Sequence, residues 1–516
     1  MKTYNIIKGI FAATVLSVVF SGCSEDAMDR INKDHGHTQS VAARFILTDV
    51  ITSTAFSNAG GDFNTYLSAY IEYEVGVDNQ LYYAETRESE PTSSSTFNNT
   101  WNGLYSTLKS ARIIINQCSE GGIDHGNYVT KGMAEVLAAY NCALIADMFG
   151  DAPCSQAALI DENGSPVYLT PKMDKQEEIY TQAMQYLDDA IADLQKEDLI
   201  DPEAQDLLYQ GDAEKWLKLA YGLKARYTMH LLKRSANKDA DMEKVLEYVN
   251  NSFESAEEQA AFDVYDANNI NPLYGFFVAR AGLGASESMR SKLAEYNDPR
   301  LSRAFITKQG TSGKEQAPGT DNAVYAPNGT PEQGTSKYGT SLFMYSISAP
   351  TLLLSYHELK FLEAEALCRL ERDAKSALKD AVVAGLLNAE NSFTISRKEL
   401  GKTLINAASS ITEAEAESYF DNTIEAKYTA EPLKTTMTQK YFALWGASGE
   451  ATESYNDVRR MKGLGENFIE LKNPNSFPLR CPYGNSDTTT NAEVKAAYGN
   501  GQYVYSENVW WAGGSR

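Results

Sequence analysis

The chain has 516 residues, 43% hydrophobic and 22% charged, with 69 acidic against 46 basic side chains and a formal net charge of −23. That balance repels nucleic acid and anionic lipid, which carry the same sign of charge, and six cysteines are too few for a disulfide scaffold. The length admits roughly two to four domains or one large one, and such a chain buries roughly 75% of its unfolded surface.

Met1 to Cys23 reads as an export signal. Lys2 and Lys8 make a positive start, and Gly9 to Phe20 (GIFAATVLSVVF) is apolar. A bilayer-spanning helix needs about 20 residues, so the shorter run fits a signal core. It ends in Phe20-Ser21-Gly22-Cys23. Small residues ahead of a cysteine resemble a bacterial lipobox, with Cys23 as the lipid anchor and Phe20 where Leu is usual. The acidic residues just after it (Glu25, Asp26, Asp29) resemble the surface-export signal of Bacteroidetes lipoproteins. The expected organisation is a signal peptide over 1–22, a lipidated tether over 23–38 and a single body over 39–516. No other stretch reads as a membrane span.

Helical periodicity dominates the body. Trp101 to Cys118 places Leu104, Leu108, Ala111, Ile115 and Cys118 on one face, at spacings of three and four. Lys131 to Phe149 is an Ala-rich helix closed by Gly150, its small residues suited to close approach of a neighbour. Asp174 to Leu194 and Asp212 to Leu232 follow, with Asp212 as an N-cap. Later come Ser355 to Leu370, Asp373 to Asn388, Thr412 to Tyr428 and Pro432 to Trp445, with Thr412 and Glu415 spaced as a capping box. Paired helices of about 15 residues predict a mainly α fold of tetratricopeptide-like hairpins, forming a frame with few short strands. Between the two helical runs, residues 268–348 are rich in Gly, Asn, Pro, Ser and Tyr and read as a loop-rich insertion. The stretch from Lys462 to Arg516 reads as irregular.

Motifs for catalysis and metal binding do not emerge. None of the five histidines falls in an H-x-x-x-H spacing, and no C-x-x-C occurs. His230 and His357 read as packing or surface residues on helices. Gly310-Thr311-Ser312-Gly313-Lys314 lacks the first Gly of a phosphate loop, and Glu315 stands where Ser or Thr is needed. A glycosidase needs two facing carboxylates, which counting alone neither finds nor excludes. No cofactor is expected. Cys118, Cys142 and Cys368 read as small buried hydrophobes, and Cys142–Cys154 is the pair best placed for a bridge.

Several blocks in order carry a family resemblance. They are Trp101-Asn102-Gly103-Leu104-Tyr105, Asp147-Met148-Phe149-Gly150-Asp151-Ala152-Pro153, Asn297-Asp298-Pro299-Arg300-Leu301, Gln439 to Trp445, Ser454 to Arg460, Phe477 to Tyr483, and Val509-Trp510-Trp511. With a lipobox in front, the chain resembles the SusD/RagB-like outer-membrane nutrient-binding lipoproteins of Bacteroidetes over nearly its whole length. Cys481 departs from the family pattern. Roles read from the residues themselves are structural: Asp147 and Asp151 accept turn N–H groups, Asp457 pairs with Arg459 and Arg460, and Trp510 and Trp511 pack the C-terminus on the core.

The resemblance implies a lipid-anchored protein of the cell outer membrane that faces the cell surface. It implies capture of a glycan or other nutrient and delivery to a SusC-like TonB-dependent barrel, without catalysis. Sugar binding needs aromatic faces and planar polar side chains. The candidates are aromatics outside the helical repeats: Tyr82 and Tyr83 after the polar turn Gly76–Gln80, Tyr274 after Asn271-Pro272, and Tyr325 and Tyr338 in the long polar loop. A surface glycoside hydrolase and a helical scaffold that binds only protein stay open as alternatives.

Overall fold

A computed structural model of the chain describes residues 41–516 apart from 162–163, 308–322 and 406. The expected signal peptide, Cys23 and the tether lie outside the described residues, as does the segment resembling a phosphate loop. Helix α1 (Ala43–Thr52) passes directly into a π-helical turn (Ser53–Ala59), followed by α2 (Asp62–Tyr70), β1 (Glu74–Gly76) and α3 (Asn79–Thr86). Next come α4 (Phe97–Cys118), α5 (Tyr128–Phe149), α6 (Gln176–Asp193), α7 (Ala213–His230) and α8 (Lys238–Asn250). The middle of the chain carries β2 (Ala260–Phe262), α9 (Pro272–Arg280), β3 (Leu283–Ala285), α10 (Glu287–Glu295), α11 (Leu301–Ala304), β4 (Phe305–Ile306), β5 (Thr340–Ser341) and β6 (Thr351–Leu354). Helices α12 (Tyr356–Arg369), α13 (Lys375–Leu400), α14 (Glu413–Tyr419), α15 (Glu425–Ala430), α16 (Pro432–Ala443), α17 (Ala451–Leu464), α18 (Asn485–Thr490) and α19 (Ala492–Tyr498) complete it.

The frame is a row of helices in chain order. Helix α4 packs on α5, α5 on α6, α6 on α7 and α7 on α8; α8 meets α12, and α12 meets α13 and α16. This is the tetratricopeptide-like arrangement that the paired periodicities imply. Helix α5 is apolar and long enough to cross a bilayer by composition, contrary to the reading that no second stretch qualifies, but 94% of its apolar window is buried inside the protein. Ala134, Ala138, Ala139, Ala143 and Ala146 are wholly inaccessible, because small side chains let α1, α4, α6 and α7 all reach it. Asp212 caps α7 by accepting from the N–H groups of Glu214 and Lys215, and Thr412 caps α14 through the N–H of Glu415.

Two of the later helices differ from expectation. The helix expected to stop at Asn388 runs on to Leu400, since Phe393 and Ser396 keep its buried face going. The segment Thr412 to Tyr428 contains a π-helical turn at Phe420–Ile424. Residues 268–348, expected to be loop-rich, also carry regular elements. This stretch holds α9, α10, α11 and three short strands. Asn271 caps α9, with Pro272 at its first position, so a helix start was hidden in a turn-like composition. Among the described residues the strands form two-stranded antiparallel ribbons: β1–β3 ties this region to the N-terminal part, β4–β5 lies within it, and β2–β6 joins the segments on either side of it.

Charged side chains fill part of the interior. Arg460 pairs with Glu365 at 2.5 Å and Asp457 at 2.7 Å, and Lys440 pairs with Asp457 at 2.7 Å, all nearly inaccessible. Arg459 does not join Asp457 as expected; it donates to the carbonyls of Asp147 and Leu479 and to Asn456. Asp151 accepts a backbone N–H, but from Gln176, the first residue of α6, rather than from a turn. Asp147 instead accepts from side chains: the Tyr180 hydroxyl, the Asn456 amide and the Trp511 indole. Trp511 is thereby pinned on the core, as its place in the sequence suggested. His230 lies fully buried between Asp147 and Glu453. Burial opposes its charge, but the two carboxylates outweigh it and hold the imidazole up at about 9.

Candidate functional site

The site candidates lie on the irregular side of the frame, where α2, α3, the start of α4 and α9 meet. Helix α2 carries Tyr66 and Tyr70 one turn apart on one face. Their rings meet Phe97, at the start of α4, with centroids 5.7 and 6.4 Å apart. Tyr66 also meets Phe276 of α9 edge-on at 6.5 Å. These contacts build a wall of aromatic faces from three elements, α2, α4 and α9.

Two cavities open along this wall. The smaller, about 170 Å³, is lined by Tyr66, Tyr70, Tyr83, Phe97 and Tyr505 together with Gln80, Glu90 and Thr96. Tyr83 is 59% exposed, and Tyr82 meets it edge-on at 5.7 Å. The polar groups are held in place: Tyr66 donates to Gln80 at 2.9 Å, Thr96 to Asp62 at 2.6 Å, and the Val504 N–H to Glu90 at 2.8 Å. Tyr505 donates to the carbonyl of Ser89, so the C-terminal segment closes one side. Burial, with the charge of Asp62 second, pushes the Tyr66 hydroxyl up to about 12. It therefore acts as a neutral donor at ordinary pH.

The larger cavity, about 550 Å³, is bordered by the π-helical turn, the start of α2, α4 and α9. Phe56 and Phe276 supply its aromatic faces, and Asn58, Asp62, Asn99 and Thr100 its polar ones. Asp62 and Tyr66, one turn apart on α2, place the two cavities side by side.

The five tyrosines singled out from sequence do not gather at one place. Tyr82 and Tyr83 stand on helix α3 rather than in a turn, because Asp78 ends the preceding ribbon and the next residues wind onto it. Tyr274 is on α9, half-buried, and donates to Glu399 at 2.8 Å. Tyr325 packs edge-on against Phe305 at 5.1 Å, under the Arg290 guanidinium. Tyr338 packs on Val75, Val77 and Ala326, and its hydroxyl accepts the Glu332 N–H. Of the five, Tyr83 is the one that lines a cavity on the aromatic wall. Tyr66, Tyr70, Phe97, Phe56, Phe276 and Tyr505 were not singled out. The signal for the first pair was the i, i+4 spacing of Tyr66 and Tyr70 in a short helix after Gly60-Gly61.

Comparison with known proteins fits this architecture. The SusD-like family model, described as "Starch-binding associating with outer membrane", matches residues 36–483. The chain belongs to the SusD-like family. A SusD/RagB family protein from Bacteroides thetaiotaomicron is 69% identical, with a TM-score of 0.89 over 92% of this chain and 100% of its own. A SusD homologue from Bacteroides fragilis shares the fold at 19% identity, with a TM-score of 0.67 over 92% of this chain and 100% of its own. A chitin-binding SusD homologue from Flavobacterium johnsoniae does so at 18%, with a TM-score of 0.62 over 90% of this chain and 98% of its own. No curated protein matches the chain by sequence. SusD-like membership makes this a nutrient-binding protein that associates with the outer membrane.

Proposed function

We propose that this SusD-like protein captures an oligosaccharide along the Tyr83–Phe276 wall and passes it to a SusC-like TonB-dependent barrel. The observation that carries the reading is Tyr83, 59% exposed on a helix at the mouth of a cavity lined by four further aromatic rings. An exposed aromatic face on a rigid element stacks on the apolar face of a pyranose, and Gln80, Glu90 and Thr96 supply hydrogen bonds to its hydroxyls. Starch is the ligand in the family description and chitin that of a relative with the same fold, so neutral polysaccharides come first. Cys23 carries the lipid that holds the chain at the outer membrane, facing outward. Anchoring beside a barrel raises the effective concentration of captured ligand, so modest affinity per site suffices. The protein binds and does not cleave.

The test is a glycan array probed with the detergent-solubilised chain and with Tyr83→Ala. The expected result is retention of a neutral oligosaccharide by the wild type and weakened retention by the variant. A blank array, or release of shortened products, would overturn the reading.

A further inference from the structure

Asn58 is wholly buried at the end of the π-helical turn, and a chain of hydrogen bonds sets which way its amide points. Asn141 donates to the carbonyl of Leu137 at 2.8 Å, which fixes its nitrogen inward. Its oxygen therefore accepts from Asn58 Nδ2, at 2.8 Å. Thr107 donates its hydroxyl to the carbonyl of Gly103 at 2.9 Å, leaving its oxygen to accept the second Asn58 N–H at 3.1 Å. Both donors of Asn58 are used, and its Oδ1 has no partner.

Asn58 and Gly103 both line the larger cavity, and the oxygen is buried just behind its surface. A Cβ on Gly103 would stand 3.0 Å from it and within 4 Å of no other side chain. Glycine in the middle of a helix costs stability relative to alanine. Here it keeps a side chain from standing over Oδ1. A buried acceptor without a donor is unfavourable, and π-helical turns frequently mark functional sites. The lining holds one carboxylate, Asp62, and no Lys or Arg; Arg280 stands outside it, 5.8 Å from the Phe276 ring.

We propose that this cavity is a second subsite, in which Asn58 Oδ1 accepts a hydrogen bond from a hydroxyl or amide N–H of a neutral sugar lying against Phe56 or Phe276. The proposal rests on the glycan-binding reading above and adds a residue that selects for ligand donors. Acidic glycans are disfavoured, because the subsite carries the Asp62 carboxylate and no cation.

Gly103→Ala in the full detergent-solubilised chain tests it, on an array carrying maltoheptaose, hexa-N-acetylchitohexaose and a hexagalacturonate. A methyl group there suits the helix and blocks the oxygen. The expected result is an unchanged or raised melting temperature and roughly tenfold or greater loss of affinity for the neutral glycan that the wild type binds. As a second measurement, the per-O-methylated form of maltoheptaose should compete at least tenfold less well than maltoheptaose itself where the latter is bound. Unchanged affinity in Gly103→Ala, or preferential binding of the hexagalacturonate, overturns the subsite while glycan capture stands. An empty wild-type array overturns both.

Discussion

Tyr83 and Glu74 illustrate opposite uses of a residue. Tyr83 is exposed and touches little, so Tyr83→Ala is expected to leave the melting temperature within a few degrees of wild type while lowering glycan affinity. A loss of about 1 kcal/mol or more is the scale for one aromatic stacking face. Isothermal titration alongside thermal melts checks both halves. Glu74 is buried beneath Trp445 and Ser341, which donate to it at 3.1 and 2.6 Å. Burial outweighs those donors and pushes its carboxyl up from 4.5 to about 8. The folded chain therefore keeps a proton that the unfolded chain releases above 4.5. Its contribution to stability is full below 4.5 and declines as pH rises through about 8, by on the order of a few kcal/mol. Glu74→Gln is expected to flatten that decline. Urea unfolding at pH 5, 6.5 and 8 measures it, and parallel curves for variant and wild type would refute the assignment.

At the scale of elements, long periodic segments were legible and short ones were not. Helices α4 to α7 stand close to where the sequence put them: α4 buries one continuous stripe, and the Ala-rich α5 is buried on nearly every side. Helices α1, α2 and α9 were missed: they run nine or ten residues, α1 runs on into a π-turn, α2 and α9 follow Gly61 and Asn271, and all owe their helicity to packing. The aromatic wall was missed with them, since its rings come from α2, α3, α4, α9 and the C-terminal segment. Helix packing also sets local limits on side-chain size. Gly222 in α7 faces β6, and a Cβ there would fall 2.3 Å from Leu354 Cδ2 and 2.7 Å from Ser252 Oγ. Gly222→Ala is expected to destabilise by about 1–3 kcal/mol through overpacking. A drop in melting temperature reports it, whereas a rise would show that α7 has room to spare.

Over the whole molecule, buried ion pairs join segments that the sequence keeps far apart. Glu365 on α12 holds Arg460 on α17 and Arg369 on its own helix, and Arg369 reaches Glu466. Burial disfavours the Glu365 charge, but Arg460 and Arg369 outweigh it and keep the carboxyl well below the usual range. Glu365→Ala leaves Arg460 buried with Asp457 alone, and a loss of about 3–5 kcal/mol is expected. Denaturant unfolding at low and high salt checks it. The loss should be insensitive to salt, because the pair is inaccessible to ions.

The sequence by itself determined the helical class, the hairpin frame and the family, because these rest on periodicity and on ordered local blocks. It also marked Tyr83. Only the tertiary structure decided which aromatics share a wall, that Tyr274, Tyr325 and Tyr338 sit away from it, and that residues 268–348 form helices and ribbons. It alone set the amide of Asn58 with its oxygen toward a cavity. Periodicity reports which face of an element is buried, but not what it is buried against. The neighbours of Tyr66 and Asn58 lie tens to hundreds of residues away, and packing alone brings them together.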